Sequence, residues 1–197
     1  MIRSSDDHGD CPWSSREAEL LAVTLQLLQE HGYDRLTVEA VATTARASKA
    51  TIYRRWPTKA ELVLAAFIEG TRETAVPPDT GSLRGDLLQL GEMIRAHVGA
   101  HAGTIRAVMV ETARSAELAA MLQRQFLDER KAVMEEVLAQ AVARGEIDAA
   151  SVTEDLWDVL AGYLIYRTVL AGRSPSHRTV GDLVDDVIIP GLTRHGV

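Results

Sequence analysis

The segment from Thr37 to Lys59, TVEAVATTARASKATIYRRWPTK, constrains this chain more than any other. Two stretches with helix-like apolar spacing are joined here by Arg46-Ala47, a connection short enough to demand a tight turn. Thr37 and Ser48 stand where a hydroxyl can cap a following helix, and Pro57 cannot continue the second one. Val38, Val41, Ala42 and Ala45 give the first helix an inward face, and the alanines let another helix cross closely. Ile52 is the apolar residue that the second helix must bury. These offsets predict a helix-turn-helix whose second helix offers Ser48, Lys49, Ala50 and Thr51 to base edges in a major groove. Thr37, Tyr53 and Lys59 are placed to hold phosphates through a hydroxyl, a phenol and an ammonium, which fixes register without reading sequence. Arg54 and Arg55 can pair with phosphate, or one of them can take a guanine edge. Tyr53 as a plain core aromatic is the competing reading, and Trp56 reads as core.

Over its 197 residues the chain carries a net charge of −7, which by itself argues against a nucleic-acid partner. Location reverses that inference. The charge is −2 over residues 1–13, +1 over 14–66 and −6 over 67–197, while Arg46, Lys49, Arg54, Arg55 and Lys59 have no acidic residue among them. Hydrophobic residues make up 46% and charged residues 25%, an ordinary balance for a globular chain. No uncharged apolar run approaches the roughly 18 residues of a membrane span, so no membrane partner is expected. The polar, acidic start lacks the basic-then-apolar pattern of a secretory signal. Cys11 has no cysteine partner, which fits a reducing cytoplasm, and it reads as a bystander thiol in a disordered tail over 1–13.

The helical pattern extends through the whole chain, and the expected fold class is all-α with about nine helices. Ser14 or Ser15 caps the first, with Glu17 and Glu19 in its opening turn, and His31-Gly32 ends it. Thr58 caps a fourth helix striped by Leu62, Ala65, Ala66 and Ile68, running to about Thr74. Five more are expected, over about 82–100, 104–114, 117–143, 154–171 (capped by Thr153) and from Ser176 or Thr179 to about Arg194, the last kinked at Pro190. The domains expected are a helix-turn-helix DNA-binding unit over 14–66 and a larger helical unit over 67–197, for ligand binding and dimerisation.

In that larger unit Leu83, Leu87, Leu90, Ile94, His97 and His101 step by three and four along one helix face. Two histidines four apart can ligate a metal with Glu92 or Glu111, but polar fixtures in an apolar cavity are the better reading, and no metal or cofactor is expected. Met93, Met109, Phe126, Trp157, Tyr163 and Tyr166 are candidates to line the same cavity, with ordinary core packing as the alternative. Arg106 and Arg167 have apolar company and could meet an anionic effector, or form internal salt bridges. No nucleophile–base pair and no phosphate-cradling glycine motif supports an enzyme. The helix from Val159 is apolar nearly all round and the last helix is rich in Val, Ile and Leu, so both need partners, from a second copy or from the chain's own core.

The run Thr37 through Ala42, Ser48-Lys49-Ala50-Thr51-Ile52-Tyr53 and Trp56-Pro57-Thr58-Lys59-Ala60-Glu61-Leu62 resembles the DNA-binding domain of the TetR family of bacterial transcriptional regulators. His31-Gly32-Tyr33 followed by Leu36-Thr37-Val38 fits the same pattern, and the resemblance covers about 16–67. Two residues depart from it: Arg46 stands where the family often has glycine, and Trp56 where phenylalanine is usual. The resemblance implies a homodimer through the last two helices and a small-molecule effector bound in the body. It also implies two heads on successive major grooves of a palindromic operator, about 34–36 Å apart. The expected role is a ligand-released repressor in the cytoplasm, although the residues themselves do not separate repression from activation.

Overall fold

The computed structural model describes residues 13–72, 76–152 and 156–193, with the side chains of residues 156 and 157 outside that description. The described residues form eight helices and a short 3₁₀ turn, with no strand among them. By contacts the chain divides after Gly70 into two units. Cys11, the Thr153 cap and Arg194 lie outside the described residues.

The first unit holds α1 (Ser15–His31), α2 (Val38–Thr44), α3 (Lys49–Arg55) and α4 (Lys59–Glu69). Each begins on a hydroxyl. Ser14 makes a reciprocal cap with Glu17, and the hydroxyls of Thr37, Ser48 and Thr58 accept from the amides of Ala40, Thr51 and Glu61. α1 packs along α4, and Leu20, Leu21, Leu28, Leu62, Leu64 and Phe67 are buried. α4 ends at Glu69 with Gly70 as its cap, one turn before the expected stop near Thr74.

The second unit is built around α5 (Leu83–Thr112), a single helix where two were expected. The break expected near 101–103 is a kink: His101 has φ −117° and ψ 18° and the helix resumes beyond it. Gly99 and Gly103 flank that turn, and both positions face open space. α6 spans 116–143 as Ala116–Leu122 and Asp128–Ala143, joined by a wide π-turn over Gln123–Leu127. α7 spans 156–170 and closes in a π-turn over Tyr166–Leu170. α8 spans 177–193 and runs through Pro190, with a π-turn over Val184–Ile188 just before it. The wider turn gives the proline ring room that a regular helix would deny it.

Leu87, Val137, Leu160, Leu164, Val180, Val184 and Leu192 are buried together where α5, α6, α7 and α8 meet. Gly91 lets α5 and α8 approach, since a Cβ there would lie 2.5 Å from Cγ1 of Val180. Asp86 is fully buried and anchors the start of α5. It accepts from the Thr80 amide at 2.6 Å, the Thr80 hydroxyl at 2.7 Å and Arg144 at 2.8 Å. Burial opposes its ionisation, but those donors outweigh it and hold the carboxyl below its ordinary range.

Candidate nucleic-acid interface and body cavity

The turn between α2 and α3 is closed by main-chain bonds from Arg46 to the Thr43 carbonyl (3.2 Å) and from Ala47 to the Ala42 carbonyl (2.8 Å). Arg46 takes φ 51°, the left-handed conformation that glycine adopts without cost. Arg16 on α1 braces it by donating to the carbonyls of Ala45 (2.6 Å) and Arg46 (3.1 Å). Sequence reading did not single out Arg16; its contacts lie about thirty positions away along the chain, which periodicity does not report.

α3 turns Ile52 wholly inward, and Trp56 follows it into the core. Its other face is open. Ser48, Lys49, Ala50, Thr51, Tyr53 and Arg54 are exposed, as is Thr37 at the head of α2, while Lys59 is half-buried. Tyr53 is 44% exposed, so the core reading of that residue fails. Several of these groups are already engaged. Lys49 Nζ meets Glu39 at 2.8 Å; that hydrogen bond raises the ammonium's pKa and lowers the carboxylate's. Lys59 lies over the Tyr33 ring at 4.2 Å. Arg55 is drawn back to α1, 2.8 Å from Glu17 and stacked over Trp13, whereas Arg54 pairs with no carboxylate among the described residues. Ser48 and Thr51 share a hydroxyl contact of 2.8 Å. The result is a short polar and basic surface with its phenol and hydroxyls outward, on a helix held from behind by apolar side chains.

The second unit contains an apolar cavity of about 50 Å³ between α5, α6 and α7. Of the residues expected to line one, Met93, His97 and Phe126 do so. His101 is buried one turn on, its ring 4.6 Å from that of His97. Arg106 instead donates to the Val169 carbonyl at 3.0 Å. Met109, Tyr163 and Tyr166 sit on outer surfaces, and the side chain of Trp157 lies outside the described residues. Arg167 donates to the Tyr163 hydroxyl at 2.9 Å. Leu90 and Ile94, from the same stripe as His97, line it too, and Arg130, Val133, Ala161 and Ile165, which sequence reading did not single out for a cavity, complete the lining. Burial, then His101 and Arg130, push His97 down to about 4, and burial lowers His101 as well, so both rings are neutral at pH 7. Among the described residues no group of three or more His, Cys, Asp or Glu side chains could hold a metal ion. No helix among them is long and apolar enough to cross a membrane.

Comparison with known proteins joins the two units. Residues 20–66 match the model of the bacterial regulatory proteins of the tetR family, and 77–187 match a tetracyclin repressor-like C-terminal domain. A helix-turn-helix-type transcriptional regulator of Mycobacterium tuberculosis is 66% identical, over 93% of this chain and 91% of the relative. The DNA-binding transcriptional repressor TetR of Mycobacteroides abscessus is 36% identical over 89% of this chain and 93% of its own length. A crystal structure of a TetR family transcription regulator superposes with a TM-score of 0.78 at 28% identity, covering 90% of this chain and 98% of that one.

Proposed function

This chain belongs to the TetR family of bacterial helix-turn-helix transcriptional regulators, and we propose that it acts as a homodimeric repressor released from a palindromic operator by a small molecule bound in its body. The observation that carries the reading is the division of α3: Ile52 buried, and Ser48, Lys49, Ala50, Thr51, Tyr53 and Arg54 all outward. In this reading Ser48 to Thr51 face base edges, and Thr37, Tyr53, Arg54 and Lys59 grip phosphates. Lys49 exchanges Glu39 for DNA.

A dimer is supported by an uncovered apolar stripe on α7. Val159, Tyr163, Tyr166 and Leu170 follow one another at four, three and four residues and are 37–65% exposed, with Val187 of α8 53% exposed. Tyr163 and Tyr166 are thus assigned to the dimer surface and not to the effector. The site proposed for the effector is the cavity with Met93, His97 and Phe126. Binding there releases DNA only to the extent that the effector prefers the non-binding state.

Gel-shift titration of the full chain against the DNA upstream of its own coding region, at several salt concentrations, tests the reading. The expected complex is sequence-specific and loses about 10³-fold or more in affinity between about 50 and 200 mM salt. A sequence-indifferent or salt-insensitive complex contradicts it.

A further inference from the structure

Arg130 is 8% exposed on α6, yet no carboxylate among the described residues pairs with it. Its charged group has two neutral contacts, a hydrogen bond to the Thr71 carbonyl and the face of the Phe126 ring at 5.1 Å. It borders the cavity, and the other lining residues are apolar except His97. A guanidinium carries five N–H donors. Burial lowers the pKa of this one, and the adjacent Glu129 offsets that only in part and makes no ion pair with it. A buried cation without a directly bonded anion is costly, so a site for an anion is open here.

We propose that Arg130 is the anion anchor of the effector site: the site takes a small molecule with one carboxylate on an apolar body, and that carboxylate draws the guanidinium away from the Thr71 carbonyl. The proposal rests on the effector-released reading above and names the ligand class for it. One cation among apolar walls and neutral imidazoles matches a single negative charge. A phosphate monoester would bring a second charge with nothing to balance it, and an amine would be repelled. The fork of N–H groups suits a carboxylate, which can accept two parallel bonds where the Thr71 carbonyl accepts one.

The same geometry supplies the response. Thr71 directly follows Gly70, the cap of α4, so it is where the chain enters the second unit. While Arg130 holds that carbonyl the entry point is fixed to α6; a bound carboxylate removes the tie. The cavity must also grow, since about 50 Å³ is far below the roughly 300 Å³ of even a small ligand pocket. Phe126 sits in the π-turn Gln123–Leu127, the irregular part of α6, and its ring backs Arg130. Opening the wall and freeing the anchor therefore involve the same turn.

Calorimetric titration of the full chain without DNA tests this, using octanoate and phenylbutyrate as probes against octan-1-ol and phenylbutanol. At least one acid is expected to bind about tenfold or more tightly than its own alcohol. Arg130→Met, an apolar replacement of similar reach, should erase that preference, and Arg130→Lys should keep part of it. Alcohols binding as tightly as acids, no acid binding at all, or a preference that survives in Arg130→Met would each overturn the proposal. The acid–alcohol comparison in the unsubstituted chain decides the matter even if a variant folds poorly. Because DNA is absent, failure here leaves the repressor reading standing, and failure of the gel shift leaves this result readable.

Discussion

Arg46 is the residue at which local preference and fold disagree. Its φ of 51° is forced by the two-residue turn, and the left-handed region costs a side-chain-bearing residue about 1 kcal/mol. The brace from Arg16 to the two turn carbonyls offsets that cost locally. Arg46→Gly is therefore expected to raise stability by about 1 kcal/mol in urea denaturation; unchanged or lower stability would mean the turn is unstrained. Both the doubtful turn residue and the inward pair Ile52 and Trp56 were legible in the sequence, because each follows from a spacing of a few residues. Neither the Arg16 brace nor the Lys49–Glu39 pair was, since those partners meet only once α1, α2 and α3 have packed. The hydroxyls of Thr37 and Ser48 do double duty. Each accepts from a first-turn amide of its own helix and keeps an exposed face toward the expected DNA side.

At the scale of elements, helix starts were read well because caps are local. Ser14, Thr37, Ser48, Thr58, Ser82 and Ser176 all accept from the amide three residues on. Breaks were read less well. The apolar spacing places a gap between two helices at about 101–103, but α5 continues through it with a kink at His101. The three π-turns left no trace in the apolar spacing, because one extra residue per turn shifts the periodicity no more than ordinary scatter does. Gly91 is the point where one atom decides an interface: a Cβ would fall 2.5 Å from Val180, itself fully buried and stiff at χ1. Gly91→Ala is expected to cost about 1–3 kcal/mol in thermal or urea unfolding, against a small helix-propensity gain. A neutral or stabilising result would show that α5 and α8 separate easily.

The molecule as a whole divides its chemistry as it divides its charge. The acidic excess lies in the helical body, and the basic residues between Arg46 and Lys59 cluster on and around one short helix. The exposed face of α3 was legible in sequence because its residues are nearly contiguous. The cavity was visible only in part: Met93 and His97 share a stripe on α5, but Arg130 was hidden in the run DERKAVMEE, which resembles a solvated face. The signal that could have found it is its place between Phe126, four residues before, and Val133, three after, on one apolar stripe. Tyr163 and Tyr166 lie on the outer side of α7 and do not line the cavity. A helix that is apolar nearly all round has two sides to cover, and periodicity does not say which side faces the chain's own core. The central claim, two identical heads on one operator, is tested most directly by hydroxyl-radical footprinting of the full chain on the upstream DNA. Two protected windows related by an inverted repeat and centred about one helical turn, 34–36 Å, or a multiple apart are predicted. A single protected window, or uniform protection without a repeat, would contradict it.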